Sequence, residues 1–148
     1  MKLLRVGEFG KEKPAALAKD GKIRDLSQHI ADLNPSTLNF ENLEKLQKLD
    51  LGTLPEVVSS TRIGSCIARP GKFLAIGLNY SDHAEETNAE IPKEPILFNK
   101  ASNCIVGPND DVVLPKLSKK LDWEVEIAFV VGKDTKYISE KDAPNHIL

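Results

Sequence analysis

Apolar and polar residues alternate most regularly over positions 121–131. Leu121, Trp123, Val125, Ile127, Phe129 and Val131 fall on one parity, and Asp122, Glu124, Glu126, Ala128 and Val130 on the other. Side chains alternate faces along an extended chain, so the pattern predicts a strand with one wholly apolar face. Its second face begins acidic and ends apolar, which predicts a strand running into a core. Residues 2–9 predict an earlier strand, apolar at Leu4 and Val6, and Ala15–Lys19 and Lys22–Leu26 flank an Asp20-Gly21 hairpin signal. The chain therefore opens with a small meander.

Ser27–Leu33 predicts a short helix broken by Asn34-Pro35-Ser36. Leu43, Leu46 and Leu49 recur at helical spacing among Glu and Lys residues, predicting an amphipathic helix of about two turns with a core-facing leucine stripe. Residues 50–70, with Gly52, Pro55, Gly64 and Pro70, read as a linker holding at most one short strand near Ile63–Ala68. Phe73–Ile76 is a continuous apolar run, as in a strand buried on both faces. A helix over Ser81–Glu90, N-capped by Ser81, follows, then a strand at Ile96–Phe98 leading to Lys100. Gly107-Pro108-Asn109-Asp110 predicts a turn, and Val112–Leu114 a strand stopped by Pro115. Asp134–Leu148 starts as loop and turns helical after Ser139, limited by Pro144.

With 148 residues, 41% hydrophobic and 28% charged, the chain has the balance of one soluble globular domain. Nothing approaches the roughly 20 apolar residues of a membrane-spanning helix. The opening residues are too soon interrupted by charge for a signal peptide, so the expectation is a cytoplasmic protein. A net charge of −2, from 20 basic and 22 acidic residues, supplies no electrostatic drive toward nucleic acid. The one basic cluster, Lys116, Lys119 and Lys120, runs straight into Asp122, Glu124 and Glu126 and reads as a solvated loop. Cys66 and Cys104, far apart and in no ligand spacing, read as free, partly buried thiols. There is no glycine-rich phosphate loop.

Two constellations carry chemistry. Glu124 and Glu126 lie on one face of the predicted strand, with Cα atoms about 7 Å apart. Paired carboxylates at the mouth of a core suit a hard cation such as Mg²⁺ or Mn²⁺. In Gly77-Leu78-Asn79-Tyr80-Ser81-Asp82-His83-Ala84-Glu85-Glu86, His83 and Glu86 are three apart on a helix. A carboxylate so placed orients an imidazole for general-base work. His29 and His146 have no comparable partner and read as surface residues.

The segment 77–86 resembles the Gly-x-Asn-Tyr-x-x-His-x-x-Glu motif of the fumarylacetoacetate hydrolase family. Leu97-Phe98-Asn99-Lys100 is similar to that family's Phe-x-Lys segment. Gly107-Pro108 with Leu114-Pro115 resembles the turn and strand that follow, and Asp122-Trp123-Glu124-Val125-Glu126 the metal-binding strand. Gly21–Leu26 is similar to the N-terminal module of two-module bacterial members. The matches keep family order across nearly the whole chain.

The fold this resemblance implies is β-rich α+β: a small N-terminal β-meander module at 1–60, a linker at 61–71, and at 72–148 part of a mixed β-roll or barrel, incomplete at its C-terminus. It implies a divalent metal, Mg²⁺ or Mn²⁺, held by Glu124, Glu126 and a third carboxylate. In the family that third ligand lies in an Asn-Asp-Val-Ser-like segment absent here, and Asp134 and Asp142 sit in no matching motif. His83, Glu86 and Lys100 take catalytic roles, and Asn79 and Tyr80 contact substrate. The implied reaction is hydrolysis of a C–C bond in an acylpyruvate-like 2-oxo or diketo acid, by a complete protein that is a homodimer. Isomerase, decarboxylase, hydratase and ureidoglycolate-lyase-type members share the motifs. A second class of reading is an inactive fragment, or one half of a split enzyme acting as an interaction module.

Overall fold

The computed structural model describes residues 1–148. It is β-rich with few helices, and none of its helices is long and apolar enough to cross a membrane. The predicted meander is present. β1 (Lys2–Val6), β2 (Lys13–Leu17) and β3 (Ile23–Asp25) form an antiparallel sheet in that order, with Leu4 opposite Ala15 and Ala16 opposite Arg24. Gly21 takes the left-handed φ of +80° that closes the β2–β3 hairpin, and the Asp20 carboxylate accepts the Lys22 N–H at 3.0 Å. Ala15 and Ala16 on the central strand are fully buried. Their small side chains leave room for Leu26, Ile30, Leu33 and Leu46, which close over Ala16 as the core. Each fully buried leucine contributes roughly 1.5–3 kcal/mol.

The helix expected over Ser27–Leu33 does not form. Only one turn is made, with the His29 and Ile30 N–H groups reaching the Leu26 carbonyl at 2.8 and 3.1 Å. Side-chain acceptors win the neighbouring amides: Asp25 takes the Ser27 N–H at 2.7 Å and Asp32 the Leu33 N–H at 2.8 Å. The leucine-striped helix does form, as α1 (Phe40–Gln47), capped by the Asn39 side chain on the Asn42 N–H. Leu46 alone of the stripe is fully buried, and Leu49 packs on the core from beyond the helix end.

The predicted linker is bound to the meander along much of its length. Glu56 bridges to Arg24 on the β3 edge, and Ile63 bridges to Val6 on the β1 edge. The chain divides into two compact units, Met1–Ala68 with Val106–Leu148, and Arg69–Ile105. The break after Ala68 falls within the linker expected at 61–71, and Val106–Leu148 groups with the N-terminal residues.

In the unit Arg69–Ile105, β4 (Phe73–Gly77) and β5 (Ile96–Lys100) pair antiparallel, and α2 (Ser81–Glu86) lies between them in sequence. β4 is not buried on both faces as its apolar run predicted, since Leu74 remains 51% exposed. A two-stranded ribbon and a six-residue helix cannot cover two faces. Tyr80, not Ser81, occupies the N-cap position, and no side chain caps the helix. α2 stops well short of Glu90. The Thr87 hydroxyl donates to the His83 carbonyl at 2.9 Å, and Asn88 turns left-handed.

The two strands predicted after the Gly107–Asp110 turn are not formed. Residues 112–114 pair with nothing, and residues 119–129 make no backbone–backbone hydrogen bond. Only the end of this segment is held, where Val131 bridges to Ile147 and the Leu148 N–H donates to the Val130 carbonyl at 2.9 Å. Trp123 is 80% exposed and Phe129 67%, and Ala128 is exposed too, so the segment does not run into a core. A strand exists through its neighbour's hydrogen bonds, and none of this chain's strands pairs with this segment. Ala143–His146 forms a 3-10 turn containing Pro144 in place of the helix expected after Ser139. Both thiols are free, as expected, but exposed rather than partly buried. His146 is half-buried rather than on the surface, and its Nδ1 is a buried atom without a partner.

Candidate active site

The approach to α2 is the best-defined part of the site. β4 ends at Gly77, and Leu78 then adopts a left-handed backbone with φ 49°. That conformation costs a non-glycine residue roughly 1–2 kcal/mol. Sharp backbone of this kind between a strand end and a helix is a recurring feature of functional sites. It turns the chain so that Asn79 and Tyr80 stand exposed ahead of α2. His83 in the first turns of α2 is half-buried, while Glu86 is exposed. Helix spacing puts them on one face. Their side chains nevertheless make no hydrogen bond or ion pair; His83 uses its backbone N–H on the Asp82 carboxylate at 2.9 Å.

Lys100 stands at the other end of the ribbon. Register pairs it with Phe73, whereas the chain leaves for α2 from Gly77, paired with Ile96. At strand rise that places Lys100 about 13 Å along the ribbon from the α2 end. Its ammonium lies 5.9 Å from the centroid of the Phe98 ring. Asn79, Tyr80, His83, Glu86 and Lys100 thus share one compact unit, and Glu124 and Glu126 belong to the other.

Glu124 and Glu126 are exposed. Neither carboxylate takes part in a hydrogen bond or ion pair, unlike Glu12, Asp20, Asp32, Glu56 and Asp110. As donors they fit a hard, oxygen-seeking cation: two unengaged carboxylates two residues apart. They fill two ligand positions, and no group of three or more His, Cys, Asp or Glu side chains converges in a metal-binding arrangement anywhere in the chain. Leu78 was not singled out from sequence. The strand-to-helix turn around it was the only signal, because a positive φ leaves no mark in a leucine.

Residues 72–148 match the family described as fumarylacetoacetate (FAA) hydrolase, C-terminal. A Burkholderia multivorans protein named "Putative hydrolase/" is 49% identical over 147 residues, and a Burkholderia ambifaria protein named "Putative hydrolase BamMC406_5393" is 48% identical over the same length. In both cases the match covers 99% of this chain and 52% of the relative. Among solved structures, a fumarylacetoacetate hydrolase from the psychrophile Exiguobacterium antarcticum superposes with a TM-score of 0.74 at 24% identity, over 99% of this chain and 52% of its own. A Mycobacterium smegmatis structure described as a "putative HpcE protein" gives 0.69 at 28% identity, over 97% and 51%. The chain spans about half the length of the relatives it matches.

Proposed function

The chain belongs to the fumarylacetoacetate hydrolase family, and from that premise we propose that it supplies part of the active site of a divalent-metal-dependent hydrolase cleaving a C–C bond in acylpyruvate-like diketo acids. The observation that carries the reading is the pair Glu124 and Glu126, unengaged and two residues apart in the segment that matches the family model. These two would hold Mg²⁺ or Mn²⁺. The metal, when bound, polarises substrate oxygens as a Lewis acid. No third carboxylate of this chain converges with them.

The chain's own residues have separable tasks. An imidazole nitrogen of His83 accepts a proton from the attacking water, and Glu86, one helical turn on, steadies the imidazolium that results. The hydroxide adds to the distal acyl carbonyl, and the C–C bond to the pyruvate carbons breaks. Its electron pair passes to the pyruvate fragment, which then takes up a proton, so water and diketo acid yield a carboxylic acid and pyruvate. Lys100 is a donor for the substrate carboxylate. Asn79 and Tyr80, exposed ahead of α2, contact the substrate's polar oxygens. In the complete protein, a homodimer in this reading and a cytoplasmic one, loss of acylpyruvate ultraviolet absorbance should require added Mg²⁺ and vanish in His83→Ala. Full activity in Glu124→Ala with Glu126→Ala would remove the metal assignment.

A second reading is favoured by one observation, the exposed and unpaired apolar face of residues 121–131. In it the 148-residue chain is one half of a divided enzyme and acts as an interaction module. Turnover by the purified 148-residue chain alone would exclude this second reading.

A further inference from the structure

Both ends of the acidic segment are fastened, by different means: upstream to the N-terminal module through an ion pair, downstream chiefly to residues 146–148. Upstream, the guanidinium of Arg62 forks onto Asp110, with Nε to Oδ1 at 2.8 Å and Nη2 to Oδ2 at 2.5 Å. Asp110 in turn accepts the Gly107 N–H at 2.7 Å, which closes the turn from which the segment leaves. Arg62 is itself held from behind. Its Nη1 donates to Glu12 at 2.8 Å and to the Gly7 carbonyl at 3.2 Å, and its guanidinium carbon lies 5.5 Å from the Phe9 ring centroid. Glu12 also pairs with buried Arg5 at 3.4 Å, and Arg5 forks onto Asp32 at 2.7 and 3.1 Å. Charges therefore alternate in sign from Asp32 through Arg5, Glu12 and Arg62 to Asp110, linking the meander to the 107–110 turn. Packing there is tight enough that a Cβ on Gly107 would collide with the Ile63 carbonyl oxygen.

Downstream, residues 130–132 pair with 146–148, the Gly132 N–H donating to the His146 carbonyl at 2.7 Å. A Cβ on Gly132 would fall 2.5 Å from the Leu148 side chain and 2.9 Å from the Phe40 ring at the start of α1. The Lys133 ammonium lies 4.8 Å from the centroid of that same ring. Between the anchors, residues 119–129 carry no backbone–backbone bond of their own. The two anchors bound the stretch that carries Glu124 and Glu126.

We propose that the N-terminal module is a positioning device for the Glu124/Glu126 pair, with Arg62 as its key positioning residue. The inference rests on the reading of those two glutamates as cation ligands. A segment fixed at both ends has less freedom to lose when its carboxylates converge on an ion, so the anchors raise affinity without touching the ion.

The test uses Tb³⁺ as a hard-cation probe on the full chain, read by emission sensitised through Trp123, the only tryptophan. Amide hydrogen exchange is followed in parallel. Arg62→Ala should speed exchange at Gly107 and Asp110 by about tenfold or more, leave β1–β3 amides unchanged, and weaken Tb³⁺ binding at least about threefold. Arg62→Lys keeps the charge but not the fork, and should fall between; it decides the matter if the alanine variant does not fold. Unchanged exchange at the turn, or faster exchange with unaltered Tb³⁺ affinity, overturns the positioning role, provided Glu124→Ala with Glu126→Ala abolishes binding. If that double variant binds Tb³⁺ as before, the cation reading itself falls, and the positioning role with it.

Discussion

Arg62 and Asp110, 48 positions apart, meet through a two-pronged ion pair that ties the N-terminal module to the turn leading into the acidic segment. A bidentate guanidinium–carboxylate pair fixes direction as well as distance. The Arg62 and Gly107 hydrogen bonds hold the Asp110 carboxyl below the ordinary carboxylate range. At Glu12, burial pushes the carboxyl up, but Arg62 and nearby backbone N–H groups outweigh it and the net shift is downward.

Acid should therefore loosen this junction. Both carboxyls titrate lower in the folded chain than in the unfolded one, so their stabilisation is complete above the ordinary carboxylate range, about pH 4, and is lost as pH falls through the depressed folded values. Urea midpoints should be flat from about pH 7 to 5 and drop below about pH 4. Asp110→Asn should lower the neutral-pH midpoint and make the acid decline shallower. A decline as steep as in the parent would show that other acids carry it.

The core makes a sharper demand. Leu26 and Leu46 are 0% and 2% exposed around Ala16, so truncating either to alanine should cost about 2–5 kcal/mol in urea unfolding. Leu117→Ala, at a residue 98% exposed, should shift stability by no more than about 0.5 kcal/mol. Equal effects at Leu46 and Leu117 would contradict the described core.

Leu78 offers a test of stored strain. Leu78→Gly relieves its left-handed backbone but adds freedom to the unfolded chain, for a net gain of up to about 1 kcal/mol. In the complete protein the same change should lower kcat/KM, because Asn79 and Tyr80 lose their fixed approach to α2. A calorimetric melting temperature and steady-state kinetics together measure the trade.

Trp123 reports on the acidic segment directly. At 80% exposure its emission should lie at the solvent-exposed, red end of the indole range and be freely quenched by iodide. Covering of the apolar face by any partner should shift the emission blue and protect it. A blue, protected signal from the isolated chain would mean that the face is already covered.

The meander, α1 and the β4–β5 ribbon were legible in the sequence because local signals decide them: Asp20-Gly21 for the hairpin, the leucine spacing for α1, and apolar runs ending at Gly77 and Lys100. The motif segments Gly77–Glu86 and Asp122–Glu126 could be read as candidates because each is contiguous, and a contiguous pattern survives without knowledge of the fold. Ser27–Leu33 misled because its helical pattern says nothing of the carboxylates at Asp25 and Asp32 that capture its amides.

Tertiary structure alone decided the rest. Alternation over 121–131 specifies which residues would share a face, but a strand also needs a neighbouring edge to hydrogen-bond, and none of this chain's strands pairs with residues 119–129. Likewise the pairings of Arg5 with Asp32 and of Arg62 with Asp110 join residues too distant for any local pattern to couple. By itself the sequence determined the family and the meander, and it pointed to Glu124 and Glu126 as candidate ligands. Only the folded chain decided that Glu124 and Glu126 stand unengaged on a segment held at Asp110 by Arg62 and at residues 130–132 by residues 146–148. Side-chain chemistry is written residue by residue, whereas pairing and anchorage arise from contacts between residues the chain brings together only on folding.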